Sequence, residues 1–79
     1  MPGYNWCGPF CSGPEKPVNK VDSCCKQHDL CYKRRGYSSC RCDKALLQCL
    51  RPLINLYTQE GITAAMIYKF FSNFPSNKG

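Results

Sequence analysis

Three stretches of the 79-residue chain carry apolar residues at helical spacing, and the twenty residues before them do not. The first stretch, 22–34, opens on Asp22, a favourable N-cap, and Gly36 is placed to end it. The second, 40–51, has Ala45, Leu46, Leu47 and Leu50 in a pattern that suits a helix better than a strand, with Pro52 near its end. A third, 62–72, carries Ile62, Ala65, Met66, Lys69 and Phe70 at helical spacing. Residues 1–20 hold Gly3, Gly8, Pro9, Gly13, Pro14 and Pro17 and predict irregular loop. No strand and no repeat is evident. The expected fold is all-α: two antiparallel helices, an N-terminal loop and a third helix, in one domain spanning 1–79.

Composition changes this picture through its cysteines. A chain this short buries too little surface to rely on its core alone, and eight cysteines, about a tenth of the residues, indicate a disulfide-stapled scaffold. An oxidising compartment follows, so the protein is expected to be secreted or otherwise extracytosolic. The first residues, MPGYNWCGPF, have neither a basic n-region nor an apolar h-region, so a signal peptide is not expected in this chain. The apolar run 62–74 is interrupted by Thr63, Lys69, Ser72 and Asn73, so no transmembrane segment is expected.

Helix geometry selects two of the bridges. Cys24 and Cys31 are seven residues apart, as are Cys42 and Cys49. Seven residues are nearly two turns, about 10.5 Å of rise, so each pair lies on one helix face. A short turn at 37–39 makes the helices antiparallel, and level positions then share a constant sum of residue numbers. Cys24 with Cys49 and Cys31 with Cys42 satisfy that condition together. The crossed choice would require parallel helices.

The only histidine, His28, falls between those two rungs. Asp43 sits at nearly the same level on the second helix, where a carboxylate would fix the His28 tautomer and leave one ring nitrogen available as a base. Asp29 points about 100° away and shares a face with Cys25. If Cys25 pairs with Cys7, the loop WCGPFC is pinned beside Asp29, and its carbonyls could join that carboxylate around a cation. Calcium favours such a mixture of oxygen ligands. Cys11 is then left for Cys40. Zinc is disfavoured, because the adjacent Cys24 and Cys25 face different directions.

These residues also carry a resemblance. DSCCKQHDLCY, 22–32, resembles the active-site helix signature of secreted phospholipase A2, C-C-x-x-H-D-x-C; WCG resembles its calcium loop, and CRCDKALLQCL resembles its second long helix. The match covers roughly 4–50 and is nearest to the compact bee-venom, plant and microbial members. It implies Ca²⁺-dependent hydrolysis of the sn-2 ester of glycerophospholipids, with lipid degradation as its outcome. It implies His28 as general base, Asp43 as its orienting partner and Tyr32 as support for that pair. It further implies a metal site of Asp29 with the carbonyls of Trp6, Gly8 and Phe10, an oxyanion contact from the Gly8 N–H, and the bridges Cys7–Cys25, Cys24–Cys49 and Cys31–Cys42. The loop departs from the family's C-G-x-G, reading Cys7-Gly8-Pro9-Phe10, so Cys11 or Ser12 are alternatives for the third carbonyl. The β-wing of the larger venom and pancreatic enzymes is absent from the sequence.

Net charge is +6, which suits anionic interfaces. No nucleic-acid motif is present, and the cations at Lys33, Arg34, Arg35 and Arg41 look like a solvated turn. The expected partner is a phospholipid surface. Trp6, Pro9, Phe10 and Leu30 are candidates for an apolar entrance, whereas the 62–74 stripe is expected to complete the core. The competing readings are a non-catalytic membrane-active or toxin-like module on the same scaffold, and a basic antimicrobial peptide.

Overall fold

The computed structural model describes residues 3–8, 13–36 and 39–73. It contains three helices, α1 (Lys20–Arg35), α2 (Cys40–Leu50) and α3 (Gln59–Asn73), with a 3-10 turn, Arg51–Leu53, after α2. This is a small, all-α, disulfide-rich fold. Disulfides join Cys7 to Cys25, Cys24 to Cys49 and Cys31 to Cys42. The last two tie rising positions on α1 to falling positions on α2, so the helices run antiparallel. Cys40 is half-buried and makes no disulfide to a described residue; its expected partner, Cys11, lies outside the described residues.

Helix α1 begins two residues before Asp22, not at it. Asn19 is the N-cap, and its side-chain oxygen accepts the Asp22 N–H at 2.9 Å. Asp22 is instead fully buried in the first turn. Its two carboxylate oxygens accept four backbone N–H groups, from Asn5, Trp6, Cys7 and Val18, at 2.8–3.0 Å. Both candidates are good caps by residue type, and only the distant donors decide between them. The last turn carries Lys33, Arg34 and Arg35, which complement the helix dipole, and Gly36 N–H bonds back to the Tyr32 carbonyl at 2.7 Å.

Burial pushes the Asp22 carboxyl upward, but its backbone donors outweigh that and leave it below the ordinary carboxylate range. A carboxyl with a lowered folded pKa adds stability that is complete above the unfolded pKa and is lost as the pH falls through the folded one. An acid titration followed by circular dichroism should therefore show the native protein losing more stability below about pH 4 than an Asp22→Asn variant. Parallel acid limbs would contradict this role.

Helix α2 stops at Leu50, one residue short of the expected end. Pro52 has no N–H and its ring crowds the carbonyl four residues back, so the chain tightens into the 3-10 turn. Helix α3 starts three residues earlier than its apolar pattern suggests. Thr58 Oγ1 accepts the Gly61 N–H at 3.0 Å, which is an N-cap bond. Glycine inside a helix ordinarily lowers its propensity. Here Gly61 is a close-approach site, because a Cβ there would collide with the backbone and side chain of Asn55. Gly61→Ala should accordingly destabilise: overpacking costs about 1–3 kcal/mol, against about 1 kcal/mol gained in helix propensity. A lower urea midpoint is expected, and an unchanged or higher one would show that Asn55 moves aside freely.

The core contains Trp6, Cys7, Val21, Cys24, Cys25, Leu46, Leu50 and Ala64, three of them half-cystines. Ile67, Tyr68 and Phe71 of α3 pack against it, whereas Met66 and Phe70 are 58% and 55% exposed. The described part of that stripe, 62–73, therefore has two faces, and only one completes the core. Among the described residues no helix is long and apolar enough to cross a membrane.

Candidate active site

His28 lies at the middle of α1, buried, on the face that α2 covers. Asp43 lies in the first turn of α2, where the helix dipole favours an anion. The bridges on either side hold these two helices together. His28 Nε2 donates to Asp43 Oδ1 at 2.8 Å, and the Tyr32 hydroxyl donates to the same oxygen at 2.6 Å. The carboxylate thus assigns the proton to Nε2. Nδ1 has no partner among the described residues, and no fully buried side-chain nitrogen or oxygen goes unpaired, so Nδ1 keeps access to solvent.

Two aromatic rings fix the imidazole plane. The Tyr32 ring lies 4.1 Å from it, centroid to centroid, and the Phe71 ring packs edge-on at 4.9 Å. Burial, together with the bond to Asp43, pushes the Tyr32 hydroxyl far above the ordinary phenol range. Tyr32 therefore acts as a proton donor to Asp43 and carries no charge at neutral pH.

His28 and Asp29 open into a cavity of about 580 Å³. Trp6 and Gly8 line it from the N-terminal loop, and Met66, Ile67, Phe70 and Phe71 line it from α3. Leu30 does not line it; it projects from another side of α1. Pro9 and Phe10, the remaining residues expected at the entrance, lie outside the described residues, as do Cys11 and Ser12. The four α3 residues are the part of the site that sequence reading missed. Their signal was two adjacent i, i+4 pairs, 66/70 and 67/71, which form a surface broader than a simple core stripe.

Trp6 is locked in place: its indole N–H donates to the Glu15 carbonyl at 2.8 Å, and the Lys26 ammonium sits 5.4 Å above its ring. Gly8 has φ of 98°, a turn that side-chain-bearing residues rarely adopt, and it brings the loop to Asp29. The Asp29 carboxyl is half-buried and has no hydrogen-bond donor among the described residues. Burial raises its pKa despite the opposing pull of His28 and Lys33. Such a carboxylate, beside a loop fixed by the Cys7–Cys25 bridge, fits a cation ligand that shares its ion with backbone carbonyls. Among the described residues no group of three or more His, Cys, Asp or Glu side chains is placed to hold a metal.

Residues 1–73 match the model of the Phospholipase A2-like domain. The chain belongs to the phospholipase A2-like family. One relative within this group of phospholipases and their homologues is "Probable phospholipase A2 homolog 1" of Oryza sativa subsp. japonica, 37% identical over 49 residues, 62% of this chain and 33% of that protein. Another is "Phospholipase A2 homolog" of Echis carinatus sochureki, 28% identical across 94% of this chain and 79% of that protein. A third, "Phospholipase A2" of Hoffmannihadrurus gertschi, is 28% identical across 86% of this chain and 36% of that protein. The chain thus spans about a third of the length of the first and third of these phospholipase A2 relatives. No solved structure matches it.

Proposed function

We propose that the protein hydrolyses the sn-2 acyl ester of glycerophospholipids with calcium as cofactor, releasing fatty acid and lysophospholipid outside the cell. The observation that carries this reading is the His28–Asp43 pair, bonded at 2.8 Å and opening into an apolar cavity beside the Asp29 carboxylate. Nδ1 of His28 removes a proton from water, and the water oxygen attacks the ester carbonyl. Asp43 stabilises the imidazolium, and Tyr32 keeps Asp43 aligned. The imidazolium then returns the proton to the departing glycerol oxygen. Among the described residues no serine lines the cavity and its cysteine is bridged, which supports water as the nucleophile.

Asp29 and the carbonyls of Trp6 and Gly8 would hold the cation, with Phe10 as the expected third carbonyl and the Gly8 N–H as an added oxyanion donor. Calcium bound there would polarise the ester carbonyl and offset the charge that develops on its oxygen. The apolar wall from α3 suits acyl chains. The +6 net charge supports docking on anionic phospholipid surfaces.

A non-catalytic membrane-active module is the second reading, favoured by the word "homolog" in the names of two relatives. The intact dyad argues for the first. Phosphatidylglycerol vesicles labelled on the sn-2 chain decide between them: the label should appear as free fatty acid in the presence of calcium. Vesicle binding without release would establish the second reading instead.

A further inference from the structure

Asp22, Cys25 and Asp29 lie at i, i+3 and i+7, on a single face of α1. The N-terminal loop is attached to that face in order. Asn5, Trp6 and Cys7 donate their N–H groups to Asp22, Cys7 is bridged to Cys25, and Gly8 reaches the cavity that Asp29 lines. The Asp22 carboxylate is fully buried, and both oxygens accept two bonds each. Oδ1 takes Trp6 and Cys7, whereas Oδ2 takes Asn5 and Val18. The Val18 bond ties the loop to the entry of α1, and Asn19 completes that entry by capping the Asp22 N–H.

We infer that Asp22 is a positioning residue for the cation loop, setting the register of backbone 5–8 against Asp29. The inference rests on the cation reading proposed above. A single disulfide at Cys7 leaves the loop free to rotate about one attachment. Three successive N–H groups held by one carboxylate remove that freedom, because N–H direction fixes the orientation of the peptide planes and hence of their carbonyls. The carbonyl of Trp6 belongs to the peptide whose N–H, on Cys7, is held by Oδ1. Asp22 thereby orients a proposed calcium ligand through the ligand's own peptide plane, with no contact to the ion.

Asp22→Asn tests this, because an amide offers one acceptor oxygen where the carboxylate offers two and turns an NH₂ group toward two N–H donors. Terbium luminescence and calcium titration on the intact disulfide-bonded protein should show cation affinity lowered by about tenfold or more, with turnover at saturating calcium much less affected. A folded variant that binds calcium as tightly as the native protein would overturn the inference. A merely structural Asp22 would lower the melting temperature and leave the calcium half-saturation point of the folded protein unmoved, which also overturns it. Hydrogen exchange on the metal-free native protein removes dependence on the variant's folding. The Asn5, Trp6 and Cys7 amides should be protected to within about tenfold of the central α1 amides. Free exchange at those three amides would overturn the inference. Failure of the native protein to bind either cation would instead defeat the cation reading on which it rests.

Discussion

Replacing His28 by glutamine should lower turnover by about 10²–10⁴-fold, the range general-base catalysis contributes. Glutamine can still donate from its amide to Asp43 Oδ1, so the buried carboxylate keeps a partner and the fold survives. What is lost is a nitrogen able to take up a proton. The variant should therefore retain the circular dichroism and calcium binding of the native protein while losing fatty-acid release. Two controls give this result its meaning. A variant that unfolds reports only on packing between Tyr32 and Phe71. A folded variant that keeps most of its turnover removes His28 as the base.

Removing the Cys24–Cys49 bridge should be the most damaging change to stability. Losing a native disulfide from a small secreted domain costs about 2–5 kcal/mol. This bridge closes a sequence separation of 25 residues and Cys31–Cys42 one of 11, so chain entropy makes the former costlier by about 0.7 kcal/mol. Each bridge has one buried half-cystine, Cys24 in the first and Cys42 in the second, so the buried volume lost is similar in the two double variants and loop length separates them. The double variant should show a denaturation midpoint well below that of the native protein and below that of the matching Cys31/Cys42 double variant. Equal midpoints for the two would show that loop length does not set the cost. Stability and the proposed catalysis are linked here: the 2.8 Å His28–Asp43 bond joins two helices that the bridges hold in register.

That register was the most legible feature of the sequence. Paired seven-residue spacings constrain both helices at once, and they place His28 between the rungs and opposite Asp43 before any coordinates are known. The start of α1 was less legible. Asn19 and Asp22 are both good caps, and the donors that draw Asp22 inward lie mainly 15–17 residues away. Helical periodicity has no access to partners at that distance. The role of α3 was hidden for a related reason. Its apolar positions announce a helix, but whether Phe71 meets the core or the imidazole depends on how α3 crosses α1 and α2. Gly61 shows the same gap: the approach of Asn55 that requires a glycine there is invisible to helical periodicity.

The central claim is that a histidine-activated water hydrolyses phospholipid at a site completed by calcium. The most direct test measures fatty-acid release from phosphatidylglycerol vesicles by the native protein, first with calcium and then after chelation. Release with calcium, its loss on chelation and its return when calcium is restored are expected. Equal release under both conditions would contradict the claim, as would no release under either.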